Sequence, residues 1–375
     1  MIKIIHIITG LGSGGAENML YKLIKYSDKE KYYHEVISLM DEGTVGQKIK
    51  DEGVKVHSLE LSSYNVFQSI MKVRRICKSF DLVNTWLYHA DVLGFLVSKI
   101  FLRKKLIWNI RHSNLDKSAN KRTTFLLIRI NSYLSTLVDK ITYNSKKAYE
   151  NHNKIGYSGK EQIIIPNGFE VDKFKFEKAY RKKIRSELSL TDDDKIIITV
   201  GRWDIQKDYP TLIKALKLTK EKNNEFKMIM VGTNLSGRNK DLVELIDSND
   251  LQENILLLGR QDNIPELLSA ADIYVSSSLG ESFSNSIGEA MACGLRCIVT
   301  DVGDSKDIVG NEGRIVGAGD FHALSKEILA EINNDNLDRN YNARQKVIND
   351  YGIFQITKRF EENFTDLFLK KNNGV

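Results

Sequence analysis

Short apolar runs rich in β-branched residues recur along the chain, and each is followed by a longer segment of mixed polarity. This alternation of strand and helix is typical of a parallel sheet. It predicts strands at 4–9, 35–40, 54–61, 82–87, 106–110, 140–143 and 162–165, and after a break at 195–200, 226–231, 254–258, 273–276 and 296–300. We therefore expect an α/β fold of two Rossmann-like, doubly wound parallel-sheet domains that face a central cleft.

The break between the two series of strands lies at Pro166-Asn167-Gly168, which holds one of only three prolines in the chain. Proline followed by turn-forming residues marks a connection between elements. We expect a first domain over 1–166 and a second over 167–352. Apolar residues at helical spacing near the end predict a helix over 353–375 that packs back on the first domain.

Composition places the 375 residues in the ordinary soluble class, with 42% hydrophobic and 28% charged residues. Lys99 and the basic run 103–105 interrupt the most apolar stretch, around residues 93–110, so we predict no membrane-spanning segment. The three cysteines, Cys77, Cys293 and Cys297, lack the spacing of a disulfide framework or a zinc site. Reduced cysteines and a cytoplasmic location are the expectation.

Positive charge is concentrated in the first part of the chain. The net charge is +6, but residues 1–165 contain 26 Lys and Arg against 15 Asp and Glu. This excess favours either a solvated basic face, or attraction to an anionic membrane surface or a lipid-phosphate acceptor. Nucleic acid is not expected as a partner, because no helix-turn-helix, RRM or zinc-finger pattern is present.

A glycine-rich loop follows the first predicted strand. Gly10, Gly12 and Gly15 satisfy the G-x-G-x-x-G pattern, which lets a backbone approach phosphate at a helix N-terminus. Alone, this motif fits an NAD- or FAD-dependent oxidoreductase, and it also fits a tight turn that binds nothing.

The loop Gly201–Lys207 follows a buried strand of the second domain and carries Arg202 and Lys207. A guanidinium can bind phosphate oxygens with two hydrogen bonds, and an ammonium adds a point charge. Together they could neutralise a diphosphate, so we expect neither a metal nor a cofactor. A surface charge pair is the alternative interpretation.

The stretch from Glu281 to Glu289 combines two carboxylates with a predicted helix start. Backbone N–H groups around Phe283, Ser284 and Asn285 would form an anion seat at that start. Glu281 precedes the seat and Glu289 lies about one turn into the helix, so either carboxylate could bind hydroxyls beside a bound diphosphate.

These features together resemble the retaining glycosyltransferases of family 4, which have the GT-B fold. The resemblance rests on the two glutamates, the Gly-Arg-x-x-x-x-Lys segment, Pro-Asn-Gly and the glycine-rich loop. Asn84 to Asp91 and Arg111-His112-Ser113 look like the subgroup that builds bacterial O-antigen and capsule repeat units. The sequence departs from the family pattern at Ser282, where glycine is common, and at Arg296, where proline is usual.

The resemblance implies a role for each site residue. Arg202 and Lys207, after Gly201, would hold the diphosphate, Glu289 the ribose and Glu281 the hydroxyls of the transferred sugar. Backbone groups near Gly259 and Arg260 would meet the base.

In the first domain, the resemblance implies that the Gly14-Gly15 loop closes on the phosphates. His112 matches the position of the family's active-site histidine, and His89 is a second candidate. With Arg111, these residues form the acceptor side. For each histidine, a purely structural imidazole remains the alternative.

The implied reaction transfers a sugar, with retention of configuration, from a UDP-sugar to a saccharide linked to undecaprenyl diphosphate. The basic first domain would hold the enzyme on the inner face of the bacterial cytoplasmic membrane. The alternatives are the oxidoreductase, a nucleotide-sugar epimerase of the same architecture, and a binding module without catalysis.

Overall fold

The structure, a computed structural model, describes residues 1–62, 64–115, 122–334 and 338–372. The chain forms two compact units, one of Met1–Gly168 with Ile353–Val375 and the other of Phe169–Gly352. The sequence places these boundaries after residues 166 and 352. Of the predicted C-terminal helix, residues 373–375 lie outside the described part of the chain.

The first unit contains a parallel sheet of seven strands in the described residues. They are β1 (Ile2–Ile8), β2 (Tyr32–Ser38), β3 (Val56–Ser58), β4 (Leu82–Trp86), β5 (Lys105–Ile110), β6 (Lys140–Tyr143) and β7 (Glu161–Ile164), in the order β3-β2-β1-β4-β5-β6-β7. All seven predicted strands are present. The third is shorter than predicted, because β3 is an edge strand that pairs over only three residues.

Helices cover both faces of this sheet. α1 (Gly15–Tyr26), α2 (Gly43–Asp51) and the C-terminal helix (Ile353–Asn372) contribute to the core on one face. The other face is covered by α3 (Val66–Cys77), α4 (Tyr88–Phe95) with the π-helical segment Leu96–Phe101, α5 (Arg122–Leu134) and α6 (Lys146–Lys154). The unit is doubly wound, as the strand-helix rhythm predicts.

The second unit contains six parallel strands in its described residues. They are β8 (Ile196–Val200), β9 (Lys227–Val231), β10 (Ile255–Gly259), β11 (Ile273–Ser276), β12 (Arg296–Thr300) and β13 (Gly313–Val316), in the order β10-β9-β8-β11-β12-β13. This is the strand order of a Rossmann fold. β13 is absent from the prediction, because only its last residue is fully buried and no apolar run marks it.

The helices of the second unit are α7 (Lys178–Glu187), α8 (Tyr209–Lys220), α9 (Lys240–Asp247), α10 (Ile264–Ala270), α11 (Asn285–Ala292), α12 (Ser305–Val309), α13 (Phe321–Ile332) and α14 (Tyr341–Tyr351). Since all strands run parallel, the loops after β8 and β11 leave the sheet at the same edge. β8 and β11 are neighbours. Residues that follow these two strands are therefore brought together.

The C-terminal helix spans 20 residues and packs on the first unit through buried aromatic side chains. Phe360 stacks on Trp86 with ring centroids 6.0 Å apart. The exposed side of the helix carries charged residues such as Lys358 and Glu362. Within the described ranges, no helix combines the length and the apolar character needed to cross a bilayer.

A buried chain of hydrogen bonds connects this helix to β1. The Nε1–H group of Trp86 donates to Nδ1 of His6 at 3.3 Å, so Nε2 of His6 carries the proton and donates to Nδ1 of His34 at 2.9 Å. Nε2 of His34 then donates to the Ser27 hydroxyl at 3.0 Å, and Ser27 donates to Glu361 at 2.8 Å. Both imidazoles are held neutral within the core.

We expect the first unit to lose stability as the pH falls from 6.5 towards 4. Burial lowers the pKa of His6, and it lowers the pKa values of His34 and His152 from 6.5 to about 4. The unfolded chain therefore binds more protons below pH 6.5. This removes about 2 kcal/mol for each of His34 and His152 between pH 7 and pH 5, and His6 contributes a further loss. Urea unfolding at both pH values measures this loss.

In a Trp203→Phe variant, the fluorescence of the remaining Trp86 and Trp108 reports on the first unit alone. An unchanged free energy of unfolding between pH 7 and pH 5 would contradict the neutral, buried state of these histidines.

Candidate functional site

Lys207 and Glu281 form an ion pair at the carboxyl edge of the second sheet, between the ammonium Nζ and the carboxylate Oε1. The Ser278 hydroxyl donates to the same oxygen at 2.9 Å. The side chains are only 21% and 13% exposed, so the pair is partly shielded from water. The structure thus brings together two of the predicted site residues and adds Ser278, to which the sequence assigned no role.

Backbone contacts hold the loops of this pair against each other. The Ser277 hydroxyl donates to the carbonyl oxygens of Lys207 at 2.8 Å and Asp208 at 3.0 Å. The backbone N–H of Leu279 donates to the carbonyl of Gln206 at 2.7 Å. These bonds fix the loop after β11 on the loop after β8 and so place Lys207 beside Glu281.

Gly303 supports the Glu281 loop from its other side. Its φ is +55°, and a Cβ at this position would lie 2.4 Å from the carbonyl oxygen of Glu281 and 2.9 Å from that of Ser282. The N–H of Asp304 donates to the same Ser282 carbonyl at 3.2 Å. Gly303 is not among the site residues predicted from the sequence, although a glycine three residues after a predicted strand is a recognisable signal.

Helix α11 begins directly after this loop, as predicted, with Ser284 at its N-cap. The Ser284 side chain makes no capping hydrogen bond to the helix. First-turn N–H groups and the helix dipole together favour an anion at such an end. Phe283 is buried here, and Asn285 and Glu289 lie on the first turns, both partly exposed. The predicted anion seat therefore lies on the loop that carries Glu281.

Two aromatic residues fix the start of α11 within the second unit. Phe169 stacks on Phe283 with ring centroids 6.0 Å apart. A Cβ on Gly288 would lie 2.1 Å from the Phe169 ring, so only glycine permits this approach. The N–H of Phe169 also donates to the carbonyl of Tyr351 at 2.8 Å. The anion seat is thereby tied to the residues at which the chain enters and leaves the unit.

Arg202 is placed differently from Lys207. Its Nε donates to Asp204 at 2.9 Å, and its side chain is 66% exposed. The backbone beside it is tightly packed, because a Cβ on Gly232 would lie 1.7 Å from the carbonyl oxygen of Gly201. The backbone of the loop is therefore closely packed, while the guanidinium remains at the surface. Its pairing with Asp204 was not predicted from the sequence.

The predicted base-binding residues end strand β10. Gly259 has a φ of +65°, and its N–H donates to the carbonyl of Leu235 at 2.7 Å. Arg260 follows it and is exposed. These residues lie at the same edge of the sheet as Lys207, two strands away from β8.

The glycine-rich loop of the first unit leads into α1, which begins at Gly15 with Gly14 as its N-cap. None of its glycines has a positive φ. A Cβ on Gly12 would meet nothing within 4 Å, and one on Gly14 would meet only the flexible Glu17 carboxylate. Within the described residues, neither a positive φ nor a close contact requires a glycine at Gly12, and the phosphate-binding role of the loop stays a prediction.

The acceptor-side residues occupy separate environments in the first unit. His112 follows β5 and is partly buried. His89 is an exposed residue in the first turn of α4, and partial desolvation lowers its pKa.

Arg111 is engaged inside the first unit. Its guanidinium lies 4.9 Å from the ring centroid of Trp86 and 5.3 Å from that of Phe360, and it donates to the carbonyl of Ile165 at 3.1 Å. Burial lowers its pKa to about 9. These contacts give Arg111 a structural role between the sheet and the C-terminal helix, in addition to the acceptor role predicted for it.

Metal-binding clusters of three or more His, Cys, Asp or Glu side chains are absent from the described residues. The chain contains one Asp-x-Asp spacing, Asp192 and Asp194. These residues precede β8, at the sheet edge opposite to Lys207 and Glu281, and Asp194 accepts a hydrogen bond from the Thr191 hydroxyl at 2.9 Å. Their position does not suit a metal at the candidate site.

Comparison with known proteins supports one family. One relative, an N-acetyl-alpha-D-glucosaminyl L-malate synthase of Bacillus anthracis, is 26% identical over 207 residues, so the match spans only about half of each chain, 53%. A Campylobacter jejuni N-acetylgalactosamine-N,N'-diacetylbacillosaminyl-diphospho-undecaprenol 4-alpha-N-acetylgalactosaminyltransferase is 24% identical over 92% of this chain and 94% of its own.

The fold is also similar to that of solved structures. The crystal structure of Anabaena HepE in complex with UDP superposes with a TM-score of 0.86 at 21% identity, and the match covers 97% of this chain and 100% of that one. Two family models match the sequence, "Glycosyltransferase Family 4" over residues 13–173 and "Glycosyl transferases group 1" over residues 180–347. The chain therefore belongs to glycosyltransferase family 4 and has the GT-B fold.

Proposed function

We propose that the protein is a glycosyltransferase that moves a sugar from a UDP-sugar to a saccharide linked to undecaprenyl diphosphate, with retention of configuration. The observation that carries the proposal is the Lys207–Glu281 ion pair beside the N-terminus of α11. It combines a cation and helix N–H groups, which suit a diphosphate, with a carboxylate, which suits sugar hydroxyls.

The chemistry requires charge to be stabilised as the diphosphate leaves. Lys207 and the N-terminus of α11 lie at the same edge of the sheet, and the exposed Arg202 can turn from Asp204 towards an incoming phosphate. Lys207 and the helix N–H groups are held in place, and fixed groups of this kind stabilise developing negative charge without reorganisation. We propose that these groups do so without a metal ion.

The carboxylates then hold the donor in place. Glu281 accepts from Lys207 and Ser278 through one oxygen, Oε1. In the proposed role, this carboxylate orients hydroxyls of the transferred sugar, and Glu289 binds the ribose. The acceptor attacks the face from which the diphosphate departs, and the leaving phosphate takes its proton, so that no protein nucleophile is needed.

The acceptor class and the location follow from the relatives and the charge distribution. The Campylobacter relative is named for a diphospho-undecaprenol acceptor and an alpha linkage. A lipid-linked acceptor requires work at a membrane surface, and the first unit carries the positive excess. We propose peripheral attachment to the inner face of the bacterial cytoplasmic membrane, in surface polysaccharide synthesis.

A panel of nucleotide sugars, assayed for nucleotide release with membrane-lipid acceptors, tests this function. We expect one UDP-sugar to give UDP release that requires the acceptor, and an added chelator to leave the rate unchanged. Glu281→Ala is expected to abolish release, whereas Lys217→Ala, which alters an exposed lysine on α8, is expected to retain it.

The same assay identifies the alternatives. Donor consumption without an acceptor would indicate an epimerase, and a nicotinamide or flavin absorbance change would indicate an oxidoreductase. Donor binding without turnover on any acceptor would indicate a binding module.

A further inference from the structure

Exposed apolar side chains are concentrated on one helical layer of the first unit. Of the 20 large hydrophobic residues exposed in the described chain, 11 lie between residues 64 and 155. This segment includes α3, the π-helical segment and α5, which cover the same face of the sheet. Clusters of exposed apolar residues of this kind mark surfaces that contact another partner.

Helix α5 is apolar on both of its sides. Ile128 packs into the core. On the outer side, Leu126, Ile130, Tyr133 and Leu137 are 59%, 38%, 75% and 56% exposed, the last of them in the turn that follows the helix. Their spacing of three and four residues places them in one stripe along the helix. An ordinary surface helix would present polar residues there.

Helix α3 presents a second stripe, in which apolar residues lead into basic ones. Phe67 and Met71 are 76% and 40% exposed, and Arg74, Arg75 and Lys78 continue the exposed side of the helix.

The π-helical segment beside α3 continues this surface, because the Arg74 guanidinium lies 5.8 Å from the ring centroid of the exposed Phe101. A groove of about 550 Å³ runs between α3 and Leu102 and is lined by Met71 and basic residues. We call the exposed side chains of α3, the π-helical segment and α5 the α3–α5 face.

The positive charge of the unit belongs to this same segment. Residues 64–155 contain 17 Lys and Arg against five Asp and Glu, whereas residues 1–63 contain eight against nine. Two of the five acids, Asp91 and Asp139, and one of the 17 bases, Lys140, are buried. Neither α3, the π-helical segment nor α5 contains an Asp or Glu. The α3–α5 face is therefore both apolar and strongly cationic.

We propose that the α3–α5 face docks on an anionic lipid bilayer, with its apolar side chains among the headgroups and its cations on lipid phosphates. Apolar burial and attraction of Lys and Arg to anionic lipid add together in such binding. A second copy of the chain is disfavoured as the occupant, because two faces of the same charge repel each other. This inference rests on the proposed function, which requires attachment to a membrane, and it assigns that attachment to α3, the π-helical segment and α5.

Sedimentation with vesicles tests the proposal, using the full chain and no sugar. We expect binding to vesicles of phosphatidylglycerol mixed with phosphatidylcholine, weak binding to pure phosphatidylcholine, and loss of binding as salt screens the charges. The variant Arg74→Glu/Arg75→Glu is expected to bind the anionic vesicles at least about tenfold more weakly. Leu126→Ser/Tyr133→Ser is expected to weaken binding to a similar extent.

Two matched variants control for net charge and for lost apolar surface. Lys178→Glu/Lys182→Glu makes the same change of charge on exposed positions of α7, and Tyr341→Ser removes a residue that is 72% exposed in the second unit. Both are expected to bind vesicles like the wild type. Equal loss in the controls, or equal binding of the wild type to both vesicle types, would overturn the proposal. The proposal would also be overturned if Leu126→Ser/Tyr133→Ser converted a dimer to a monomer and left vesicle binding unchanged, because a second copy of the chain would then cover the face.

The outcome is separable from that of the proposed function. Vesicle binding needs no donor, and turnover can be followed on a short-chain acceptor in solution, where the α3–α5 variants are expected to retain the wild-type rate. Binding without turnover would leave the docking face standing and remove the proposed reaction. Turnover without binding would do the reverse.

Discussion

Replacing Lys207 with alanine is expected to lower acceptor-dependent turnover by about a hundred- to a thousandfold, the usual effect of removing one group that stabilises transition-state charge. The ammonium lies on Glu281 and beside the N-terminus of α11. Its loss removes positive charge from the place where the diphosphate would leave, and it deprives a largely buried carboxylate of its partner. Steady-state kinetics with the lipid-linked acceptor measures the change in kcat and KM.

Lys217→Ala provides the control, because it removes an exposed lysine from the same region of sequence without touching the site. Lys207→Arg is also informative. A planar guanidinium does not reproduce the compact ammonium between Glu281 and a phosphate, so we expect it to restore only part of the rate. A Lys207→Ala enzyme with the wild-type kcat would contradict the role proposed for this residue.

Glu281 is proposed to orient the transferred sugar and not to form a covalent bond with it, and Glu281→Gln tests this role. The amide can still accept a hydrogen bond from Ser278, whose hydroxyl lies 2.9 Å from Oε1, but it loses the charge that pairs with Lys207. We expect weaker donor binding together with slower turnover. A sugar trapped as an ester on Glu281 of the wild-type enzyme, detected by mass spectrometry, would contradict the proposed mechanism.

The order of elements was accessible from the sequence because parallel strands are short and apolar and are separated by amphipathic helices. The predictions of a strand at 273–276 and of a helix beginning near Ser284 coincide with β11 and α11. The sequence signals for these elements are local, because they consist of an apolar run, a serine at the N-cap and Gly294 after the helix. The shortened β3 and the missing β13 are edge strands, in which a few pairing residues do not create a recognisable pattern.

The partners of the charged residues were not accessible in the same way. Lys207 and Glu281 are 74 positions apart, and they meet because β8 and β11 are neighbours, which depends on the order of strands in the sheet. The contacts of Arg202 and Arg111 were also not predictable from the sequence. Both were predicted as ligand-binding cations, and the structure pairs Arg202 with Asp204 and places Arg111 against two aromatic rings.

The backbone contacts of Gly303 are visible only in the three-dimensional structure, and its replacement gives the second large effect that we expect. Gly303→Ala should weaken donor binding by at least about tenfold and lower turnover by a larger factor, since groups that position a reactant supply much of the rate. The new Cβ would lie 2.4 Å from the carbonyl of Glu281 and 2.9 Å from that of Ser282, and backbone atoms cannot move aside as a flexible side chain can. The Glu281 loop must therefore shift away from Lys207.

Gly319→Ala is a matched control for this substitution. Gly319 also has a positive φ, +76°, but a Cβ there would meet nothing within 4 Å in the described chain. Both variants incur the backbone strain of a left-handed alanine, about 1–2 kcal/mol, and should lose similar stability from that cause. Only Gly303→Ala should also lose donor affinity, measured by calorimetric titration with UDP-sugar. If the two variants bound donor equally well, Glu281 would not depend on the support of Gly303, and the proposed site would lose its positioning device.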